Sequence, residues 1–492
     1  MNRRHFIKYA VGTATIVGAS ALGLDFLLSS RFPSTSRPTS SVTTSSLMPP
    51  TISNFSWQPT RIVNDKVYDA TIAFDIESTS PITSLKATLE GYAPTIPPRA
   101  YPAESLIALQ LGSLPKSTSV TTYSANVANL KGGKQYKLSA QAENSAGRRT
   151  AEFETPYVRE FENISGKDNL LVGAIYNPWF ENPCVPGHFC HWSELQADFQ
   201  KGTTPLGTPL LGLYNSNDPM VIAKHIDWAT AYGIDFFLFD FWGQDSAPWR
   251  FTPLLQHPLI RDIKFAFSYA TQKLAQSIKL VDFNDPSTYS ALESDFVYMA
   301  QNYFSHPSYL RINGRPLVQI YLTFAIKGSI SEPLKKLRQR IRDLGFEIFL
   351  IGDQISYGDR INPETLKAFD AISDANDYIP PTWKWQLSAS EIREEYSRWE
   401  SAAHAVGVEL VPFAYPGYDD SHLVDRTESY GHVPKSREFF ASNLKSAIEF
   451  ADTNRIVGIV EFNGWGENTY EEPSVEDGFK YLETLRDTLA GH

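Results

Sequence analysis

The stretch Ile234-Asp235-Phe236-Phe237-Leu238-Phe239-Asp240 decides the fold. It is a short, nearly continuous apolar run that follows a glycine, and this pattern predicts a strand buried on both faces of a parallel sheet. Seven more runs of this kind occur after residue 168. The eight predicted strands are Leu170–Tyr176, Ile234–Asp240, Ile263–Tyr269, Pro316–Tyr321, Glu347–Gly352, Phe369–Ser373, Glu409–Ala414 and Ile456–Phe462.

Helical patterns lie between several of these strands. One helix is predicted to start at Asp218-Pro219, a capping residue followed by proline at the first helical position, and to end at Gly233. The last helix is predicted to begin at Ser474, with Asp477 in the capping-box position. Two further helices carry apolar side chains at helical spacing, namely Ile392, Tyr396, Trp399 and Ala403 in one and Phe440, Leu444, Ala447 and Ile448 in the other.

Eight buried strands that alternate with helices across residues 168–492 predict a (β/α)8 TIM barrel. An open doubly wound sheet is the alternative, but no glycine-rich phosphate loop follows the first strand. The preceding residues, 54–160, show a different pattern, in which apolar and polar residues alternate in short runs such as Tyr68–Ile76 and Tyr136–Ala142. This pattern predicts a β-sandwich, so the chain is expected to have more than one domain.

The first 53 residues are not expected to join either domain. Residues 1–28 contain Arg3-Arg4, then Phe6 and Lys8, and then a weakly apolar run, which is typical of a twin-arginine export signal. Residues 29–53 are rich in Ser, Thr and Pro and are predicted to be an extended linker. We therefore expect an exported protein that contacts a membrane only through its N-terminal segment, if that segment is not cleaved.

The composition excludes few classes of function. The chain has 492 residues, of which 42% are hydrophobic and 20% are charged, enough apolar side chain for large cores. Its formal net charge of -11 lacks the basic balance of a duplex-binding protein, so we expect no nucleic-acid partner. The 10 Trp, 24 Tyr and 30 Phe suit ordinary cores and sugar-binding faces alike.

The only two cysteines of the chain, Cys184 and Cys190, lie close together. In an exported protein this spacing favours a disulfide that closes a small loop. The alternative is a metal site that also uses His188 and His191, but the spacing matches no standard zinc pattern.

Carboxylates and aromatic residues dominate the carboxyl ends of the predicted strands, where a barrel places its active site. Lys and Arg are nearly absent there, which argues against phosphorylated substrates. An acid that protonates the leaving oxygen and a second carboxylate are what glycoside hydrolysis needs. The residues at these ends are Tyr176–Phe180, Asp240–Gly243, Tyr269, Tyr321, Asp353, Asp374–Tyr378, Tyr415–Asp420 and Glu461–Asn468.

Residues 172–480 resemble the glycoside hydrolase family 99-like group, which includes endo-α-mannosidases and bacterial relatives linked to polysaccharide loci. The resemblance is carried by four stretches, which are Tyr176–Phe180 with His191-Trp192, Leu213–Pro219 with the segment to Gly243, Pro412–Asp420, and Glu461–Pro473. Separately, Tyr136–Gly147 resembles the last strands of a fibronectin type III domain, a family that mostly serves as a spacer or binding module.

The last motif of the family 99-like group reads approximately Phe-Asn-Glu-Trp-x-Glu-Gly-Thr-x-x-Glu-Pro. Its second Glu acts as general acid/base and matches Glu467, which the resemblance therefore implies to be the proton donor. Its first Glu is thought to act on the 2-hydroxyl of the sugar and matches Gly464, so the family mechanism cannot be transferred whole. Asp240 and Glu461 stand where relatives tend to have Ser or another small polar residue, and one of them is predicted to be the partner carboxylate. Because Glu461 and Asn463 are two apart on a predicted strand, they are expected to face the same side.

The sequence therefore predicts an exported glycoside hydrolase that acts on a poly- or oligosaccharide without a cofactor. The alternatives are a carbohydrate-binding protein without turnover and a metal-dependent hydrolase that uses Asp240, Asp353 and Asp374. His225 is interpreted as a packed histidine outside the site. The residues predicted to bind substrate are Tyr176, Trp179, Trp242, Tyr321, Tyr418, Asp419, Asn463 and Trp465.

Overall fold

The fold was analysed in a computed structural model of the chain. The residues that the structure describes are 47–92, 106–114, 119–164, 167, 169–186, 188, 190–195, 204, 206–274, 281–323, 326–353, 362–373, 388–423 and 432–491. The predicted export signal and most of the predicted linker lie outside these residues. No helix among the residues so described is both long and apolar enough to cross a membrane.

All eight predicted barrel strands are confirmed. The strands of this sheet are β8 Leu171–Tyr176, β9 Phe236–Phe241, β10 Lys264–Ala270, β11 Arg311–Ile312, β12 Arg315–Tyr321, β13 Phe349–Asp353, β14 Ala371–Ser373, β15 Glu409–Val411, β16 Phe413–Ala414 and β19 Ile456–Ile459, and the predicted strand Glu409–Ala414 is present as the two pieces β15 and β16. The barrel strands pair in parallel in the order β15-β14-β13-β12-β10-β9-β8-β19-β16, and the short strand β11 pairs with β12 in antiparallel orientation.

The sheet nearly closes on itself through one interrupted strand. Strands β15 and β16 are separated only by Pro412, which has no N–H for a ladder hydrogen bond. Because β15 pairs with β14 and β16 pairs with β19, this segment joins the two ends of the sheet. The observed architecture is thus the predicted barrel and not the open doubly wound sheet.

The interior of the barrel is filled by alternate side chains of the strands, as the two-residue period of a strand requires. The ring of Phe236 occupies the space that a side chain at Gly173 would need, and the ring of Phe413 occupies the corresponding space at Gly458. Together with Leu238 and other apolar residues they form an inner apolar layer. Asp240 lies two residues beyond Leu238 and so faces inward above this layer.

Helices cover the outside of the barrel. The α-helices are α1 Pro219–Ala231, α2 Ala247–Gln256, α3 Pro286–Asn302, α4 Ser331–Arg342, α5 Pro363–Leu366, α6 Ala389–His404, α7 Arg437–Phe450 and α8 Lys480–Ala490, and the short 3-10 helices are His191–Leu195, Pro258–Asp262 and Thr271–Leu274. A two-stranded ribbon, β17 Tyr418–Asp419 with β18 His432–Val433, stands among the loops.

The predicted helix starts are confirmed in one case and wrong in another. Asp218 caps α1 by accepting a hydrogen bond from the backbone N–H of Met220. At the C-terminal end, Ser474 accepts a hydrogen bond from the N–H of Asp477 as predicted, yet α8 begins only at Lys480. The reason is Gly478, whose φ of 58° is left-handed and interrupts the helix after the capped turn.

The N-terminal residues form two antiparallel sheets around a shared core. One sheet has the order β1-β2-β5 and the other β4-β3-β6-β7, and buried side chains of both belong to one cluster. The strands are β1 Thr51–Val63, β2 Lys66–Glu77, β3 Ser84–Tyr92, β4 Ile107–Ala108, β5 Thr121–Val127, β6 Gln135–Asn144 and β7 Gly147–Glu154. The alternating runs are confirmed as strands, the relation to fibronectin type III domains stays a prediction, and β1 begins inside the predicted linker.

A buried cluster of charges connects the segment after β7 to α1 of the barrel. Asp227 is fully buried and accepts hydrogen bonds from Tyr157, from Arg159 and from the backbone N–H of Glu160. Lys224, also fully buried, forms an ion pair with Glu160 at 2.7 Å. Because a buried charge is tolerated only beside its partner, these pairs fix α1 against the chain that leads out of the N-terminal sheets.

We expect Asp227→Asn to lower the free energy of unfolding by about 3 kcal/mol, since it leaves the buried Arg159 without its closest carboxylate. Asp487→Asn is the matched control, because Asp487 pairs with arginines on the exposed surface and should cost less than about 1 kcal/mol. Urea unfolding followed by tryptophan fluorescence measures both. Equal losses in the two variants would contradict a structural role for the buried cluster.

Candidate active site

Three carboxyl groups meet at the carboxyl ends of the barrel strands. Asp240 lies on β9, whereas Glu461 and Glu467 lie in the loop that follows β19. Each of Asp240 and Glu461 is within electrostatic range of Glu467, and Glu461 is within range of Asp240. The structure therefore brings the three predicted catalytic residues into one site.

The loop that carries Glu461 and Glu467 is closed on itself by backbone hydrogen bonds. The N–H of Glu461 donates to the carbonyl of Thr469, and the N–H of Glu471 donates to the carbonyl of Glu461. The regular strand ends at Ile459, so the expectation that Glu461 and Asn463 lie on a strand was wrong. Both side chains nevertheless reach the same neighbour, because the loop folds back toward β8.

That neighbour is Asn177, the residue after β8. Its backbone N–H donates to Asn463 Oδ1 at 2.7 Å, and Asn463 Nδ2 donates back to its carbonyl at 2.9 Å. Its side-chain Nδ2 donates to Glu461 Oε2 at 2.7 Å. Asn177 thus couples the first strand of the barrel to the last loop and orients the Glu461 carboxyl group.

Glu472 is the centre of a second buried network beneath the site. Its Oε2 accepts hydrogen bonds from Tyr214 Oη at 2.7 Å and from Trp465 Nε1 at 2.8 Å. Its Oε1 lies 3.2 Å from Nε2 of His225, whose Nδ1 lies 2.9 Å from Tyr176 Oη. The interpretation of His225 as a packed residue is confirmed, and its hydrogen bonds connect α1 to the loop that carries the carboxylates.

Burial and mutual repulsion set the charges of the carboxyl groups. Burial raises the pKa of Asp240 to about 7; the Arg250 guanidinium opposes this rise and the Glu467 charge adds to it. Burial also raises the pKa of Glu461 well above its usual value, and Glu467 and Asp240 add to that rise. The surroundings therefore favour the protonated form of Glu461, and Asp240 titrates near neutral pH.

Glu467 is held from the side of the β17 ribbon. The N–H of Asp419 donates to the Glu467 carbonyl at 2.8 Å, and Tyr418 Oη lies 3.4 Å from Glu467 Oε1. The next residue, Asn468, has a φ of 57°, the left-handed conformation that Asn adopts more readily than other residues with a side chain. This explains how Asn replaces the Gly that the family 99-like motif has at this position.

The Glu461 carboxyl group occupies the space beside Gly464. A Cβ atom at position 464 would overlap Glu461 Oε2 and Thr469 Oγ1. The chain therefore has room for a carboxylate at position 461 or for a side chain at position 464, but not for both. The structure gives a steric reason for the departure from the motif that the sequence shows.

Five of the eight predicted substrate-binding residues face accessible space or the acid. Trp242 is 37% exposed, and Trp179, Tyr321 and Asp419 are partly exposed. Tyr418 is buried, but its hydroxyl lies at Glu467. These placements are compatible with contact to a sugar ring.

The other three predicted substrate-binding residues, Tyr176, Asn463 and Trp465, are fully buried with their polar atoms bonded to protein groups. Tyr176 is three residues after the inward-facing Gly173, so it points outward against α1 and not into the barrel. Trp465 stacks on Tyr470. Their placement does not support the predicted sugar contact, and we assign them to the support of the site.

Arg250 is a charged residue at this mouth that the sequence interpretation missed. It lies on α2, not at a strand end, and its guanidinium is within electrostatic range of Asp240 and Glu181. Burial lowers its pKa to about 10. The near absence of Lys and Arg was predicted for the strand ends, and strand ends alone do not report what a neighbouring helix contributes.

The disulfide between Cys184 and Cys190 is present, so the alternative that these cysteines bind a metal ion is wrong. The loop places two histidine rings against the site, with His188 stacked on Trp249 and His191 stacked on Trp179.

The alternative of a metal-dependent hydrolase involved Asp353 and Asp374 together with Asp240. Asp353 accepts a hydrogen bond from Ser373 inside the barrel, and Asp374 lies outside the described residues. Among the residues with described positions, no group of three His, Cys, Asp or Glu residues could hold a metal ion.

Comparison with known proteins places the chain in a family. The family described as "Glycosyltransferase WbsX" matches residues 187–485. The chain belongs to the WbsX family. A WxcX protein of Xanthomonas campestris pv. campestris is 25% identical over 349 residues, which are 64% of this chain and 49% of that protein. The WbsX chain thus spans about half the length of this relative.

Solved structures and a further relative indicate the fold of this WbsX protein. The family 99 endo-α-mannosidase of Bacteroides thetaiotaomicron has a TM-score of 0.51 at 21% identity, over 65% of this chain and 95% of that one. The glycoprotein endo-α-1,2-mannosidase of Rattus norvegicus is 20% identical over 62% of this chain and 68% of its own length. The barrel is therefore of the glycoside hydrolase family 99 type, as the sequence resemblance predicted.

We expect Gly464→Ala to destabilise the protein by about 1–3 kcal/mol, because its Cβ overlaps two side chains in a packed loop. Gly466→Ala is the matched control, since a Cβ there would meet Leu423 and Leu195 at 3.4 and 3.5 Å. Thermal unfolding compares the two variants. The double variant Glu461→Ser with Gly464→Glu should be more stable than Gly464→Glu alone, because the smaller side chain at position 461 vacates the space that the new one needs. Equal stability of these two variants would contradict the exchange of space between the two positions.

Proposed function

We propose that this WbsX protein is a glycoside hydrolase that cleaves glycosidic bonds in a poly- or oligosaccharide. The observation that carries the proposal is the group formed by Asp240, Glu461 and Glu467 at the mouth of a family 99-type barrel. A proton donor and a second carboxylate within one site are the minimum for this reaction. Trp242 and Trp179 beside them offer flat apolar faces for sugar rings.

The motif position and the surroundings of each carboxyl group suggest its role. Glu467 is the proton donor to the leaving oxygen, in agreement with its place in the family motif. Asp240 is the partner carboxylate, because Arg250 favours its charged form and its pKa of about 7 leaves it partly ionised. Glu461, whose raised pKa favours its protonated form, lies within electrostatic range of both and reduces the charge that the group carries.

Glycosyl transfer is a second candidate, since the family is described as a glycosyltransferase. The same donor and partner carboxylate would serve if a sugar hydroxyl, and not water, received the glycosyl group. The third possibility is carbohydrate binding without turnover. It is considered because Gly464 stands where the family motif has its first Glu. Product analysis separates the three, because hydrolysis releases new reducing ends, transfer gives longer chains and binding gives neither.

We expect the wild-type protein to release reducing ends from a polysaccharide panel that contains α-mannans and bacterial exopolysaccharides. Glu467→Gln should reduce the rate by about 10²–10⁴-fold, the usual contribution of a general acid. Asp240→Asn should be comparably impaired, whereas Asp487→Asn, on the exposed surface, should behave as wild type. Hydrolysis that survives Glu467→Gln would refute its assignment as the acid.

We expect Asp240 to titrate with a midpoint of about 7, measured through its carboxyl carbon by NMR. The midpoint should fall in Glu467→Gln, because the neutral amide removes the electrostatic effect by which Glu467 raises the pKa of Asp240. Since the reaction needs the partner ionised while the donor keeps its proton, activity should rise as Asp240 loses its proton and fall once the donor does. A midpoint near 4 in the folded protein would contradict the proposed role of burial.

We further propose that the protein is exported by the twin-arginine route and that the N-terminal sheets act as a fibronectin-like spacer. The support for export is the Arg3-Arg4 motif with the Ser/Thr/Pro-rich residues 29–53, and the alternating strands support the spacer. Replacing Arg3 and Arg4 with Lys should retain the protein inside the cell. Unchanged export of that variant would rule out this route.

A further inference from the structure

We propose that Arg250 recognises an anionic group on the substrate, so that the preferred glycan is an acidic one whose sugars carry a carboxylate or another oxyanion. This inference rests on the proposed function, because it concerns the same site. It assigns to Arg250 the choice of substrate and not a step of the reaction.

The guanidinium of Arg250 stands between two tryptophans. Its Cζ lies 4.8 Å from the ring centre of Trp249 and 5.5 Å from that of Trp179. Each tryptophan is in turn stacked on a histidine of the disulfide loop, His188 at 4.3 Å and His191 at 4.5 Å. These four aromatic side chains, here called the aromatic wall, hold the arginine in place before a ligand arrives, which lowers the entropic cost of binding.

Two hydrogen-bond donors of this arginine have no acceptor in the described part of the protein. Nε and Nη1 of Arg250 are buried and have no hydrogen-bond acceptor within the part of the chain that the structure describes. A buried donor without an acceptor is costly, and the cost is removed when a ligand supplies the acceptor. Arg250 as a whole is only partly buried, so part of the residue remains accessible.

The two acidic neighbours of Arg250 do not take these donors. Glu181 is buried and its oxygens accept from the N–H of Val185 at 3.2 Å and lie 2.7 Å from Nδ1 of His188. Asp240 has an electrostatic effect on Arg250 but forms no hydrogen bond with it. Both carboxylates therefore lie within electrostatic range of Arg250, but neither supplies an acceptor to its buried Nε and Nη1.

The chemistry of the side chain favours an oxyanion over a sugar hydroxyl. A guanidinium presents parallel N–H groups that match a carboxylate in two hydrogen bonds, and such charge-assisted bonds are roughly twice as strong as neutral ones. The flanking tryptophans suit the ring that carries the acid. An acidic sugar therefore satisfies the charge, the donors and the apolar faces together, whereas a neutral sugar satisfies only the faces.

The test uses Glu467→Gln as the parent protein, so that binding is measured without turnover. The probes are oligosaccharides of a uronic-acid-containing exopolysaccharide and the same oligosaccharides after chemical reduction of their carboxyl groups, with a phosphomannan as the phosphate arm. Isothermal titration calorimetry should show that the parent prefers the acidic oligosaccharides to the reduced ones by about tenfold or more. Preference for the phosphomannan would identify phosphate, and not carboxylate, as the oxyanion.

Arg250→Gln in this background should abolish the preference and leave the affinity for reduced oligosaccharides nearly unchanged, whereas Arg250→Lys should keep part of it. Arg437→Gln on the exposed surface of α7 is the matched control and should keep the full preference. Equal affinity of the parent for all three probes would overturn the inference. So would an equal loss for acidic and reduced probes in Arg250→Gln, since this would make the arginine only a partner of Asp240.

The outcomes for the inference and for the proposed function are distinct. If wild-type protein binds acidic oligosaccharides through Arg250 but releases no reducing ends and no transfer products, the hydrolase proposal fails and the inference stands. If wild-type protein cleaves neutral glycans as fast as acidic ones, and Arg250→Gln does not alter this ratio, the inference fails and the hydrolase proposal stands.

Discussion

The reciprocal hydrogen bonds between Asn177 and Asn463 are the constraint on which the site depends. They join the residue after the first barrel strand to the loop after the last one, the place where a closed barrel must bring the two ends of its chain together. The third hydrogen bond of Asn177 orients Glu461. Closure of the barrel and placement of the carboxylate are therefore coupled, because the backbone of Asn177 takes part in the first and its side chain in the second.

The buried Glu472 extends this constraint outward. Its hydrogen bonds reach Tyr214 and Trp465 and, through His225, the helix α1. The opposite side of α1 is held by the charge cluster around Asp227 and Lys224, which contacts the segment after the N-terminal sheets. Polar contacts on two sides of α1 therefore link the N-terminal region to the floor of the site through this helix. Such a network stabilises only when every member is satisfied, which makes the loss of one partner costly.

The electrostatic design of the mouth follows from crowding. Three carboxyl groups share a poorly hydrated space, and burial together with their mutual repulsion raises the pKa of Asp240 and of Glu461. Arg250 opposes this effect for Asp240 without a hydrogen bond to it. The arginine comes from a helix and is held by the aromatic wall, so the site combines an acidic floor with one fixed cation at its side.

Patterns in the sequence predicted the eight strands, their alternation with helices and the disulfide, and the family resemblance pointed to Glu467 with Asp240 or Glu461 as its partner. These follow from local patterns, since apolar runs, capping residues and motif spacing act over a few residues. The sequence did not determine which side chains face the site. Tyr176 and Trp465 were predicted to touch sugar and are buried, whereas Arg250 was missed although it stands at the mouth. Only the tertiary structure decided these, because the direction of a side chain depends on strand register, and because a residue distant in sequence reaches the site through helix packing. The same holds for Gly464, whose missing side chain is explained only by the Glu461 carboxyl group that fills its space.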